Sequence, residues 1–462
     1  MKTIVIIGGG ITGLTAAYTL QKLMLSERLD CRIVLAEAGD TLGGKIHTVH
    51  GDGFIMETGA DSIVSRKTNV APFLEELGLQ DEVVYNATGR SFLYVDGRLK
   101  PIPEDAVFGI PLSIESLAKS ELVSAEGKVE ALKDFYTPNE TFTKDDSVGR
   151  FLKAFLGEEL VDKQIAPVLS GVYSGDLNDL TIASTLPYLL DYKNEYGSII
   201  KGLSENQAKF KGTGHKKFIS FRGGLSMLVD VLEQRLTHVE VRKRLRAERI
   251  ARSGERRYRI GFSDGSEIEA DAVVVSTMHT AAQSLFRSKE LDQEFDRLKT
   301  SSLISVYIGF DVPDEELRWD GTGFITSTDS SLRCNACTWT SRKWEHTSPS
   351  RRLLVRLFYK SSSPHYSMLA QLTEAQLLEA ALQDVWSAIG LEARPVVSAV
   401  TKWEHAMPNY SLGHHEIVRA LEKKLQEQYP GVLLAGCSYY GVGIPDCIAN
   451  GEAVARKVID LL

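Results

Sequence analysis

Gly8, Gly9, Gly10, Ile11, Thr12 and Gly13 spell GxGxxG through Gly8, Gly10 and Gly13. This spacing can bring backbone against a phosphate. Gly8 permits a tight turn, Gly10 has no Cβ to collide with a pyrophosphate, and Gly13 lets a helix pack closely on a strand. A helix N-terminus beside the loop offers free N–H groups and partial positive charge to the anion. Glu37 lies 24 residues after Gly13. A carboxylate there can accept both ribose hydroxyls of an adenosine and would repel a 2′-phosphate. The chemistry predicted is dinucleotide binding. The spacing alone does not separate NAD from FAD.

The elements needed to position these residues are present. Thr3–Ile7 is a short apolar run that fits a buried parallel strand. A helical stretch from Leu14 to about Met24 and a second strand, Arg32–Ala36, complete a βαβ unit. Phe54–Gly59 and Ser91–Val95 read as further strands, the latter ending in the turn Asp96-Gly97. From about 105 to 210 the periodicity turns helical, as in Ser147–Phe155 and Glu159–Leu169. After Arg222-Gly223-Gly224 come a helix ending near Leu236, a strand at Val239–Val241, a hairpin around Asp264-Gly265 and an apolar strand, Ala272–Ser276. Leu303–Phe310 and Leu353–Phe358 are strand patterns, and Thr373–Ile389 is a long helix. The chain closes with a strand, Val432–Ala435, a glycine-bearing loop and an amphipathic helix. The fold class predicted is α/β: a Rossmann-like nucleotide domain, an interleaved α+β substrate domain and a helical lobe. The expected division is 1–60, 211–295 and 403–462 for the nucleotide domain, 61–104 and 296–402 for the substrate domain, and 105–210 for the lobe.

Composition narrows the classes. With 462 residues, two or three domains are expected. A net charge of −8 argues against a nucleic-acid partner, and the basic run at 242–246 reads as a solvated edge. The 5 cysteines are sparse and odd in number, as in a reduced, cytoplasmic protein. Cys334 and Cys337 form a lone CxxC with no second pair for zinc, so no metal is expected. The apolar run Ile4–Ile7 is too short for a signal peptide, and no stretch approaches the ~20 apolar residues of a membrane span. A soluble protein is expected, with peripheral contact at the inner face of the membrane left open. The sequence leaves monomer and homodimer equally open.

Gly43-Gly44-Lys45 follows Glu37 as in glutathione-reductase-like and amine-oxidase-like FAD proteins. That extension points to FAD, with Lys45 as a phosphate counter-charge or simply a surface lysine. Three further stretches resemble the oxygen-dependent protoporphyrinogen/coproporphyrinogen oxidase family, within the amine-oxidase-like superfamily. They are Gly53–Ser62, Leu169–Asp176 and Gly441–Ile448, the last preceded by Leu434-Ala435-Gly436. Weaker matches include Asn86–Gly89, Phe108–Pro111, Cys337–Thr340 and Trp403–Tyr410. The resemblance runs along nearly the whole chain, in order, and leans to the Gram-positive bacterial type.

That resemblance implies FAD contacts at Gly8 to Gly13, Glu37, Gly44, Lys45, Gly59, Ala60, Asp61, Trp403, Val442, Gly443 and Ile444. Leu245 stands where the family has a valine whose backbone meets the adenine. Lys67 is implied near substrate as a partner for a propionate, with Arg66 beside it, and Gly171 in the substrate-side loop. The implied reaction is oxidation of a porphyrinogen to a porphyrin with O2 as acceptor and H2O2 as product, in heme biosynthesis. Four propionates would mark coproporphyrinogen III as substrate and two would mark protoporphyrinogen IX. Pro445 suits the first turn of a helix whose N-terminus can face the reduced flavin. No Ser/His/Asp set, HExxH or carboxylate pair is evident, and no catalytic base is assigned. An FAD-dependent amine oxidase or carotenoid-type desaturase is the competing enzyme reading. A GDP-dissociation-inhibitor-like binding protein, which would purify colourless, is the competing non-enzyme reading.

Overall fold

The computed structural model describes residues 1–462 except 88–89, 173–176, 184, 211–217, 255–256, 328–329 and 412, with the backbone alone at 170–172. A five-stranded sheet organises the nucleotide half. Its order is Val239–Arg242, Cys31–Ala36, Lys2–Ile7, Ala272–Val275 and Val432–Leu434, and the pairings are parallel. Strands buried on both faces need continuous apolar runs, and Ile4–Ile7 and Ala272–Val275 supply them. Ile4 and Ile6 face the helices Ile11–Glu27, Ser226–Arg235 and Ile444–Leu461. Val5 and Ile7 face the other way, toward a three-stranded antiparallel sheet (Ala247–Arg252, Tyr258–Phe262, Glu267–Ala270) and the helices Lys289–Phe295 and His414–Gln428. The alternation of side chains along a strand dictates this split.

A seven-stranded sheet forms the second body, in the order Pro395–Asn409, Lys299–Pro313, Arg352–Lys360, Ala336–Trp339, Gly323–Thr326, Phe92–Val95 and Arg98–Pro101. Its pairings are antiparallel except between Gly323–Thr326 and Phe92–Val95. One face carries Ile304, Val306, Leu353 and Val355 against the helix Glu374–Ile389, whose N-terminus is closed by a Thr373/Gln376 capping box. The opposite face carries Tyr307 and Leu354 against Phe54 and Met56 of the hairpin Thr48–Gly51/Phe54–Glu57. The CxxC cysteines are both buried in the first of these cores, as free thiols.

The helical lobe has a core of its own, from Ile110 through Leu203, into which Leu93 and Val95 of the sheet also pack. The predicted helix 159–169 is broken there. A single π turn, Val161–Ile165, separates Glu158–Leu160 from Ala166–Val172. At its centre Lys193 and Asp134 form an ion pair 3.1 Å apart with both side chains fully buried.

Two expected boundaries move. Residue 403 falls inside the strand Pro395–Asn409, paired along its length with Lys299–Pro313, so the chain returns to the nucleotide half only after Asn409. The helix Val70–Leu77, expected in the substrate domain, buries Val70, Phe73, Leu74 and Leu77 in the nucleotide core. Burial of its apolar stripe, which sequence position does not reveal, decides where it belongs.

Candidate flavin site

The glycine loop folds as its residue types require. Gly8 has φ +105, and a Cβ there would stand 2.6 Å from the Ser276 carbonyl oxygen. A Cβ on Gly13 would stand 2.0 Å from the Gly8 carbonyl oxygen, so helix and strand close only on a glycine. A Cβ on Gly10 would meet nothing within 4 Å. The loop therefore keeps free space at the position where a pyrophosphate must approach the backbone. Glu37 sits at the end of the second strand, where its Oε2 accepts from Gly9 N–H at 2.7 Å and its Oε1 from Gly39 N–H at 2.7 Å. A carboxylate has about four acceptor sites, so these two bonds orient it and leave capacity for a ribose.

The second glycine pair lies against the first. Gly43 N–H donates to Gly9 O at 2.8 Å, and a Cβ on Gly44 (φ +60) would stand 3.3 Å from Gly10 Cα. Lys45 turns its half-buried ammonium toward two sulfur atoms, Met278 Sδ and Cys437 Sγ, both at 3.2 Å. Sulfur is a weak acceptor, so this cation suits an anionic neighbour. Ser276 Oγ, buried beside Gly436 in the same region, has no hydrogen-bond partner among the described residues. Open space at Gly10, a cation on sulfurs and an unpartnered hydroxyl together fit a bound dinucleotide.

The Thr58–Asp61 segment packs on Lys45. Ala60 N–H donates to Lys45 O at 2.9 Å, and a Cβ on Gly59 would stand 1.9 Å from that oxygen. Trp403 Nε1 donates to Thr58 O at 2.9 Å. Asp61 pairs with Lys343 at 2.9 Å and accepts from Ser62 Oγ. Burial alone would raise the Asp61 carboxyl, but the charges of Lys343 and Arg356 hold it well below the usual carboxylate range. Gly44, Thr58 and Trp403 also line one edge of a cavity of about 670 Å³ whose other walls come from His47, Val49, the helix residues Glu374, Ala375 and Leu378 and the strand residues 398–401.

The C-terminal signature converges on the same place. Gly443 caps the helix Ile444–Leu461, with Pro445 in its first turn. That helix lies directly on the first one, since a Cβ on Gly451 would stand 2.7 Å from Thr12 O. Asn450 Oδ1 accepts from Gly436 N–H at 2.8 Å. Tyr410 Oη donates to Cys437 O and accepts from Gly441 N–H, spanning the loop that leads into the helix. Two helix N-termini thus flank the glycine loop, and Val442 is exposed at its rim.

The remaining sequence candidates are placed differently. Leu245 is at the adenosine end, but its N–H already donates to Glu37 O at 2.8 Å and its side chain is buried in the core. Any adenine contact therefore falls to its carbonyl. Lys67, expected to hold substrate, pairs with Asp446 at 2.9 Å instead of standing free. Arg66 beside it is exposed. Gly171 lies in the helix Ala166–Val172, and its surroundings, with Tyr173–Asp176, lie outside the described residues. Sequence reasoning missed Arg356 and Lys343. An arginine inside the apolar run Leu353–Phe358 was the available signal for the first, and nothing marked the second.

Comparison with known proteins agrees with this geometry. Residues 11–459 match the family model described as flavin containing amine oxidoreductase. A coproporphyrinogen III oxidase of Bacillus subtilis (strain 168) is 34% identical, covering 100% of this chain and 98% of that protein. A coproporphyrinogen III oxidase of Staphylococcus aureus is 31% identical, with 99% of each chain covered. The crystal structure of a candidate protoporphyrinogen oxidase from Exiguobacterium sp. 255-15 superposes with a TM-score of 0.90 at 32% identity, covering 99% of this chain and 98% of that one.

Proposed function

The chain belongs to the flavin-containing amine oxidoreductase family, and we propose that it oxidises coproporphyrinogen III to coproporphyrin III with O2 as acceptor. The observation that carries this reading is the end-to-end similarity to coproporphyrinogen III oxidases, alongside a glycine loop that keeps free space at Gly10. Bound FAD would supply two-electron oxidation, and three such rounds convert a porphyrinogen to a porphyrin with release of H2O2.

The protein's own residues bind, orient and exclude water. Gly8 to Gly13 and the N-terminus of Ile11–Glu27 would take the pyrophosphate. Glu37 takes the ribose, and Lys45 supplies positive charge where anionic groups must lie. The N-terminus of Ile444–Leu461 would favour negative charge on a flavin bound there. Trp403 and the Thr58–Asp61 segment fix one wall of the cleft. For the substrate, Lys67 exchanges its Asp446 partner for a propionate, with Arg66 exposed beside it. Among the described residues no helix is long and apolar enough to cross a membrane.

The test is an aerobic assay with coproporphyrinogen III and protoporphyrinogen IX, read by porphyrin fluorescence, alongside a panel of primary amines. Porphyrin formation from coproporphyrinogen supports the reading. Turnover of amines without porphyrin formation overturns it in favour of an amine oxidase.

A further inference from the structure

Arg356 is 2% exposed, yet among the described residues no carboxylate forms an ion pair with it. Its Nε donates to Ser305 Oγ at 2.7 Å, and its Nη2 donates to Thr58 O at 3.2 Å and Gly59 O at 2.8 Å. The rings of Tyr307 and Phe358 lie 5.0 and 4.5 Å from its guanidinium carbon. Its hydrogen-bond partners are all neutral, and the carboxylates that feel its charge, Asp61 and Glu57, form no ion pair with it, so burying this cation is costly and a neutral side chain could fill the same space more cheaply. The arginine must therefore be explained by what it faces.

Strand register supplies the answer. Arg356 pairs with Tyr307, and Phe358 with Ser305, across Arg352–Lys360 and Lys299–Pro313. Trp403 is opposite Leu303 on the next strand. By the alternation of strands these side chains share one sheet face, the face covered by the hairpin Thr48–Gly51/Phe54–Glu57 and the Thr58–Asp61 segment that follows it. Arg356 and Trp403 both donate to Thr58 O, and Lys343 reaches the same segment through Asp61. Two cations and one carboxylate leave an excess of positive charge directly behind Thr58–Asp61. Glu57, pushed up to about 7 by burial, offsets part of it only above neutral pH.

We propose that Arg356, assisted by Lys343, is a positioning residue that locks the Thr58–Gly59 carbonyls and holds positive charge behind the flavin, so that reduction of bound FAD is favoured. Two electrons and one proton added to the neutral ring leave one net negative charge, which a buried cation stabilises through a low-dielectric wall. The inference rests on flavin binding and not on the porphyrinogen reading, so the two can fail separately.

The test uses the FAD-loaded full chain and no substrate. Bound flavin is titrated with a chemical reductant against a reference dye, at a pH below the Glu57 pKa. For Arg356→Gln, the reduced-to-oxidised ratio at fixed poise should fall about tenfold, equivalent to about 30 mV for a two-electron couple. Arg356→Lys, which keeps the charge but not the fork, should recover most of that loss. Lys343→Gln should shift the ratio the same way by about threefold, since it is partly solvated. A folded Arg356→Gln protein with an unchanged ratio overturns the proposal, whatever happens to its thermal midpoint. If that variant does not fold, an unchanged ratio in Lys343→Gln overturns it instead.

Discussion

Lys67 Nζ lies 2.9 Å from Asp446 Oδ1, so the loop after the Thr58–Asp61 segment is tied to the first turn of the C-terminal helix, 379 positions away. Both side chains are more than a third exposed, and such a pair contributes little to stability. Its value is placement: it fixes a cation at the first turn of the C-terminal helix. Lys67→Met should raise the KM for coproporphyrinogen about tenfold, the cost of one lost charge contact of ~1.4 kcal/mol, with flavin content unchanged. Asp446→Asn should leave KM equal or lower, because Lys67 is released. Steady-state kinetics on both variants checks this, and a KM for Lys67→Met equal to the parent's would remove Lys67 from the substrate site.

The glycine loop offers a contrast between two positions. A Cβ at Gly13 collides with the Gly8 carbonyl, whereas a Cβ at Gly10 enters open space. Gly13→Ala should therefore destabilise the apoprotein, while Gly10→Ala should fold normally and Gly10→Val should lose most of its flavin. Glu37→Arg should also release FAD, through loss of the ribose acceptor and of the Gly9 bond. Flavin absorbance per mole of protein, set beside thermal midpoints of apoprotein, separates the two effects.

Glu57 gives the stability a pH signature. Its oxygens accept from Leu225 N–H and Thr48 Oγ1, tying the hairpin to the helix Ser226–Arg235, yet burial pushes its pKa up to about 7. A folded-state pKa above the unfolded value contributes stability that is present at low pH and lost as pH rises through the folded value. Stability should thus decline between about pH 4 and 7 by about 3 kcal/mol from this group. Glu57→Gln should flatten that decline in denaturant titrations repeated across the range. An unchanged slope would mean the carboxyl titrates normally.

The buried pair of the helical lobe predicts an asymmetry. Asp134 accepts from Lys193, Ser198 Oγ, Ile199 N–H and Ile200 N–H, and Lys193 also caps the Gly197 carbonyl. Removing one partner strands the other charge without solvent. Lys193→Met should cost about 3–5 kcal/mol. Asp134→Asn should cost more, because both carboxylate oxygens accept backbone N–H groups, an amide NH2 would face one of those donors, and Lys193 would keep only the carbonyls of Asp134 and Gly197, whereas in Lys193→Met the carboxylate keeps Ser198 and both backbone donors. Urea unfolding of the two single variants tests the order.

How much of this was legible depends on whether a constraint is local. Gly43-Gly44 was marked by a family resemblance, whereas the βαβ unit and the turn of its glycine loop could be read directly, because they are fixed by local backbone geometry. The hairpin at Asp264-Gly265 and the capped helix Glu374–Ile389 were legible for the same reason. Arg356 was not, since its meaning comes from three strands brought into register across the sheet. Nor was the Lys67–Asp446 pair, which joins distant segments, or the break at Val161–Ile165, where helical periodicity continues through a π turn. The boundary at 403 failed because a long strand carries Trp403 on the other body's sheet.

The central claim, that this flavin cradle serves porphyrinogen oxidation, is tested most directly by mixing the FAD-loaded protein anaerobically with coproporphyrinogen III and following the flavin spectrum. Bleaching of the oxidised flavin, with coproporphyrin fluorescence appearing on admission of air, is the predicted result. A flavin that stays oxidised with coproporphyrinogen but bleaches with an amine would contradict it.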